Sequence, residues 1–176
     1  MDNNFAGTDT SVNQLVHLWT TGIEVGFPKS LRLTGSVVSN SMKNESMIAA
    51  LKAEFVPALK ERGFKGSFPH FRRIKPDKID LLTVQFDKWG GGFVIEIAKC
   101  GPEGITTSWG LHIPPNKVRA RDVNDPRPRL GSPAPGEDGI WFRYDDGTPV
   151  EKVARRVLTY LPEADDFWNT KPRLLG

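Results

Sequence analysis

The sequence holds a single cysteine, Cys100, so no disulfide can close within the chain. Histidine is nearly as scarce. His17, His70 and His112 lie far apart, and no local Cys/His spacing suits a zinc site. Long apolar runs are also missing, since none approaches the roughly 18 residues a membrane-spanning helix needs. The opening Met1-Asp-Asn-Asn-Phe-Ala lacks the basic and apolar regions of a secretory signal. These absences lead to the expectation of a soluble chain in a reducing, cytoplasmic setting, with no cofactor, no metal and no membrane partner.

A strong excess of one charge is absent too. The formal net charge is +3 and the isoelectric point about 9.1. Over residues 1–41, Asp2, Asp9 and Glu24 outnumber Lys29 and Arg32, so the surplus of base belongs to the remainder. A nucleic-acid footprint would be a basic stripe, not a small surplus, and nucleic acid is not an expected partner.

Residues 1–41 are frequent in Ser, Thr, Asn and Gly and weakly periodic only from Val12 to Trp19. They read as a poorly ordered leader, an upstream extension of a true start at Met42; a functional tail is the alternative. Residues 42–176 read as a single α+β domain. It opens on an amphipathic helix with Asn44 or Ser46 as N-cap and Ile48, Leu51, Phe55 and Leu59 as its buried stripe. Pro57 should kink or split that helix, and Gly63-Phe64 should stop it.

Period-two patterns follow. Ser67 to Ile74, with its start near Pro69, Lys78 to Lys88 and Phe93 to Lys99 read as strands, with Thr106 to Ile113 and Ile140 to Tyr144 as further ones, giving an antiparallel sheet of about four or five. Gly90-Gly91-Gly92 runs into a strand and not into a helix N-terminus, so it is read as a turn and not as a phosphate cradle. A two-residue Gly90-Gly91 turn would pair Phe86 with Ile95 and Val84 with Ile97. A Trp89-Gly90 turn keeps the same face but asks Trp89 for a positive φ.

Between Pro114 and Ile140 lies a proline-dense stretch carrying Lys117, Arg119, Arg121, Arg127 and Arg129. It reads as a long loop, either solvated or able to grip an anionic group. No aromatic residue lies between Trp109 and Trp141, which removes the platforms of a single-strand nucleic-acid binder. Thr148-Pro-Val-Glu signals a helix start, with Thr148 capping and Pro149 first in the helix. Val150, Val153, Ala154, Val157, Leu158 and Leu161 recur at helical spacing and Pro162 ends the run, giving a C-terminal helix packed on the sheet. Phe167 and Trp168 are expected to dock on the body.

The order of these motifs resembles a bacterial family, domain of unknown function 4304. The matching residues are Leu59-Lys-Glu-Arg-Gly-Phe64, Phe68 to Arg73, Val84-Gln85-Phe86, Phe93-Val-Ile-Glu-Ile, Arg127-Pro-Arg-Leu-Gly131 and Trp141. The likeness spans roughly residues 46–168. It implies an α+β domain and no established activity, and gives Arg129-Leu-Gly131 a structural duty.

No catalytic residues are assigned. Cys100 with His112 and Glu96 with Glu103 are the only pairs worth weighing, and Cys100 alternates onto the face of Val94 and Ala98 as a small buried hydrophobe. The leading expectation is a non-catalytic protein-interaction module, in one concrete form an immunity-type protein. A cryptic hydrolase is the alternative, and a binder of anionic ligands or nucleic acid the third reading. The candidate contact residues are Trp89 at the hairpin tip and Arg119, Arg121, Arg127 and Arg129.

Overall fold

The computed structural model describes residues 35–123, 127–132 and 139–170. The chain divides into two units, Met1–Leu33 and Thr34–Gly176, and every described residue belongs to the second. The expectation of a poorly ordered leader lies largely outside the described residues.

Helix α1 runs from Gly35–Glu61, so Met42, Asn44 and Ser46 all fall inside it. The expected N-caps are therefore corrected: Ser46 donates its hydroxyl to the Met42 carbonyl one turn back. The buried stripe is Met47, Ala50, Leu51, Phe55 and Leu59, with Ile48 half-buried beside it. Pro57 does not split the helix. Its end follows expectation: Gly63 takes φ 82° and donates to the Lys60 carbonyl, while Phe64 donates to that of Leu59 and buries its ring. This pair of bonds is the Schellman arrangement.

An antiparallel sheet follows in the order β1-β2-β3-β4-β7: β1 (Lys65–Ser67), β2 (His70–Ile74), β3 (Ile79–Phe86), β4 (Gly92–Cys100) and β7 (Phe142–Arg143). The fold is α+β. The expected first strand, starting near Pro69, is β2; Ser67 belongs instead to β1, which pairs antiparallel with β2 across a turn at Phe68-Pro69, joined by a cis peptide bond.

Between β3 and β4 the glycines do form a turn, but its register corrects the two-residue Gly90-Gly91 expectation and is that of the Trp89-Gly90 alternative. Val84 faces Ile95 and Phe86 faces Phe93. The reason is Asp87, whose carbonyl accepts from Gly90 and whose carboxylate accepts from the Trp89 N–H. Gly90 and Gly91 then take φ of 83° and 80°, so these two left-handed positions of the turn fall on glycines. Asp87 and Gly92 close a four-residue loop by backbone pairing.

The Thr106 to Ile113 segment does not join the main sheet. It splits into β5 (Ile105–Thr106) and β6 (His112–Ile113), a separate two-stranded ribbon. Thr107 binds Leu111 by backbone and hydroxyl, which turns the chain before a strand of that length can form.

The last helix is also two. Helix α2 (Val150–Leu158) stops at Thr159, and Pro162 opens the first turn of α3 (Leu161–Asn169) instead of ending the run. Thr148 does not cap α2: Pro149 holds the N-cap position with no side-chain cap, and Thr148 is bound to the Asp146 carboxylate through both its backbone N–H and its side chain. Trp168 is fully buried and donates its indole N–H to the Ala98 carbonyl. Among the described residues no helix is long and apolar enough to cross a membrane.

Both faces of β3 and β4 are covered. The face bearing Leu82, Val84, Phe93, Ile95 and Ile97 packs in one core with α1, α2 and α3. Ile79, Leu81 and Ala98 point the other way and pack under Val118, Ala120 and Val123. The stretch read as a solvated loop thus acts, over residues 114–123, as a strap across the second face.

The end of the helix-covered face is closed by charge. Asp80 has no exposed surface and holds Arg73 at 2.9 Å and Lys75 at 3.1 Å. Removing one partner of such a pair leaves the other charges uncompensated in a poor solvent. Asp80→Ala should lower stability in urea denaturation by about 3–5 kcal/mol. Glu54→Ala, which breaks the exposed pair with Arg155, should cost less than about 1 kcal/mol. Equal losses would show that Asp80 has no special place.

Candidate functional site

Strand β2 carries Arg72 and Arg73 side by side, and the pleat must send them to opposite faces. Arg73 goes to the helices, where its guanidinium reaches Asp80 and Asp165 and stacks over Phe64 and Trp168. Arg72 goes to the other face, with Leu81 as its partner on β3 and Lys65 on β1. His70 shares that face with Ser67 and Thr83. Its Nδ1 lies 3.0 Å from the Thr83 hydroxyl.

The strap supplies the opposite wall. Val118 and Ala120 are anchored in the second core, and the residue between them, Arg119, reaches the sheet edge. Together Lys65, Ser67, His70, Arg72, Asn116 and Arg119 line a cavity of about 440 Å3. Gly66 lets β1 cross close to β2, with φ 118° and no room for a Cβ, which would stand 2.6 Å from the His70 carbonyl oxygen.

The cavity is electrostatically unbalanced. Arg72 Nε is buried without a hydrogen-bond partner. Among the described residues no carboxylate lies within ion-pair distance of Lys65, Arg72 or Arg119. Burial, followed by the charge of Arg119, disfavours the charged form of Arg72. Burial also lowers the His70 pKa, helped by Arg119, Arg121 and Arg72 and opposed by Asp122.

The sequence-based candidates divide among several places. Arg119 lines the cavity, and Arg121 stands near enough to act on His70 while pairing with Asp122 at 3.8 Å. Arg127 is exposed and donates to the Arg121 carbonyl. Arg129 is half-buried beside β4, bridged to Glu96, with its guanidinium 5.8 Å from the Trp141 ring centre. Leu130 donates to the Ile95 carbonyl, and the Gly131 N–H reaches both carboxylate oxygens of Glu163 on α3. Trp89 is 76% exposed in the β3–β4 turn, under the Lys88 ammonium, and takes no part in the cavity.

Lys65, Ser67, His70, Arg72 and Asn116 were missed as candidates. Alternation along Phe71-Arg72-Arg73 already separates the two arginines, but the sequence carries no sign of which face the strap covers. A second exposed tip, Trp109 with Leu111 in the β5–β6 turn, was missed as well.

No constellation joins Cys100 to His112. His112 is exposed and lies 3.3 Å from the Thr106 hydroxyl, whereas Cys100 packs against the second core. Among the described residues no group of three or more His, Cys, Asp or Glu side chains could hold a metal ion.

Two titrations check this electrostatic picture. Burial, aided by Glu103, pushes the Cys100 thiol up to about 11. Its thiolate fraction at neutral pH should be ~100-fold below that of an ordinary thiol, and iodoacetamide should alkylate it correspondingly slowly; fast alkylation at pH 7 would contradict the placement. For His70 the folded pKa lies below the unfolded value near 6.5, so the unfolded chain binds the extra proton between the two. Its contribution is intact above 6.5 and is lost as pH falls towards the folded pKa. Urea denaturation at stepped pH should show this loss in the parent and a smaller one in His70→Gln.

No curated protein and no solved structure matches the chain. One family does, described as "Domain of unknown function (DUF4304)", over residues 55–165, a span from the C-terminal part of α1 into α3 that contains the whole main sheet, the strap and the cavity. The chain belongs to the DUF4304 family.

Proposed function

We propose that the protein is a non-catalytic module that binds another protein by seating an anionic group of that partner in the cavity between β1, β2 and the strap. The observation that carries this reading is the buried, unpartnered Arg72 Nε beside Arg119. A half-buried guanidinium whose Nε is shut off from water and which has no carboxylate beside it is an unfavourable arrangement that an arriving anion corrects. Exposed aromatic tips at Trp89 and Trp109 suit a protein partner, since Trp is enriched at protein interfaces. An immunity-type role is one concrete form of the same reading.

A bacterial, cytoplasmic setting belongs to the same proposal, supported by the family resemblance and by one free cysteine. The raised Cys100 pKa weighs against a thiol hydrolase, because the nucleophile is the thiolate.

Full-chain protein as bait in a nuclease-treated lysate of the source cell should capture a specific protein. An Arg72→Met, Arg119→Met double variant with an unchanged unfolding midpoint should lose it. Equal capture by both would remove the cavity from the interface. Capture of nothing by the folded parent would count against a protein partner.

A further inference from the structure

The cavity is not merely basic; its charges are set against one another. Lys65 and Arg72 are direct cross-strand partners on β1 and β2. Like charges in that position destabilise a sheet. Arg119 enters from the strap as a third cation, and the charge of Arg121, outside the lining, also acts on His70. Asp122 is the one carboxylate among the described residues that acts on His70 and Arg72. It is already engaged, by the Arg119 backbone N–H at 2.9 Å and by Arg121.

We infer that the group this cavity takes is a phosphate monoester, a terminal dianionic phosphoryl group on a side chain of the partner protein. The inference rests on the reading of the cavity as the binding centre. A carboxylate brings one charge and two oxygens, which leaves most of the cationic excess and most of the donors unused. A phosphoryl group brings nearly two charges and three terminal oxygens. Arg72, Arg119, Lys65, the Ser67 hydroxyl and the Asn116 amide supply donors from both walls to meet them.

A volume of about 440 Å3 also leaves room for the side chain that carries the group. Nucleic acid fits less well. Its phosphodiesters carry one charge each and continue on both sides, and they favour a basic track over a pocket. No Phe, Tyr or Trp lines the cavity to stack a base.

Titration calorimetry of the full chain at fixed ionic strength tests this with N-acetyl-O-phosphoserine amide, N-acetylglutamate amide and a ten-residue oligothymidylate. The phosphoserine compound should bind at least ~10-fold tighter than either other probe and be displaced by inorganic phosphate. Arg72→Met and Arg119→Met should each weaken it by ~10-fold or more with unfolding midpoints unchanged. The ranking of probes on the parent stands even if a variant fails to fold. Glutamate binding within twofold of phosphoserine would overturn the dianion and leave the protein-binding reading intact. Tighter binding of the oligonucleotide would overturn both in favour of nucleic acid. Failure of phosphoserine to bind, or binding that inorganic phosphate does not displace, would overturn the inference, and the capture experiment would then decide separately the reading beneath it.

Discussion

The arrangement on which most of the fold converges is the burial of Asp80. Its carboxylate has no exposed surface, and one oxygen holds both Arg73 and Lys75. Charge taken out of water is tolerated only where geometry returns the lost solvation. Here the return comes from several elements at once: Arg73 from β2 also reaches Asp165 on α3 and the Arg62 carbonyl just past α1. Lys78 and Lys99 meanwhile grip carbonyls at the C-terminal end of α3, those of Trp168 for Lys78 and of Phe167 and Thr170 for Lys99. Cations there meet the negative end of the helix dipole. The charged plug therefore fixes where α3 ends on the sheet, and the buried Trp168 follows from it.

That plug closes the end of the helix-covered face, and the strap covers the other face. Because β3 and β4 are buried on both sides, the Arg72–Arg73 pair in the neighbouring strand has no neutral choice of direction. One arginine lands where carboxylates and aromatic rings await it. The other lands among lysine, histidine and a second arginine. The difference is imposed by the pleat, and it places a cationic cavity at the one edge where the short β1 and the strap leave room.

Much of this architecture was legible in the sequence. Gly63-Phe64 announces the end of α1 through chemistry that is local, and the Val153-Ala154-Val157 stripe announces α2 by period alone. The misreadings share a cause: each concerns a residue whose partner is distant or whose options are several. Thr148 could cap a helix but is taken by Asp146, and Pro162 could end a helix or open one. Asp87 set the hairpin register through two hydrogen bonds that period-two counting does not see. The strap was the largest loss. Val118, Ala120 and Val123 are too sparse among charged and proline residues to announce a core, and only the second face of the sheet gives them one. With the strap unread, Arg119 stood out as a candidate for its charge while Arg72, the residue it faces, did not.

The persistence of Lys65 opposite Arg72 then becomes informative. Local rules of strand pairing disfavour it, and no described carboxylate compensates it. On the helix-covered face the Asp80 charge is met by two cations, Arg73 and Lys75, on one oxygen, although its other oxygen is buried without a hydrogen bond. Like charges set opposite one another on two strands, with a third cation beside them, are a breach of local consistency of the kind expected of a functional position. The contrast between two adjacent arginines, one fully satisfied and one left short of a partner, is thus a stronger guide to the binding edge than net charge, which over the whole chain is only +3.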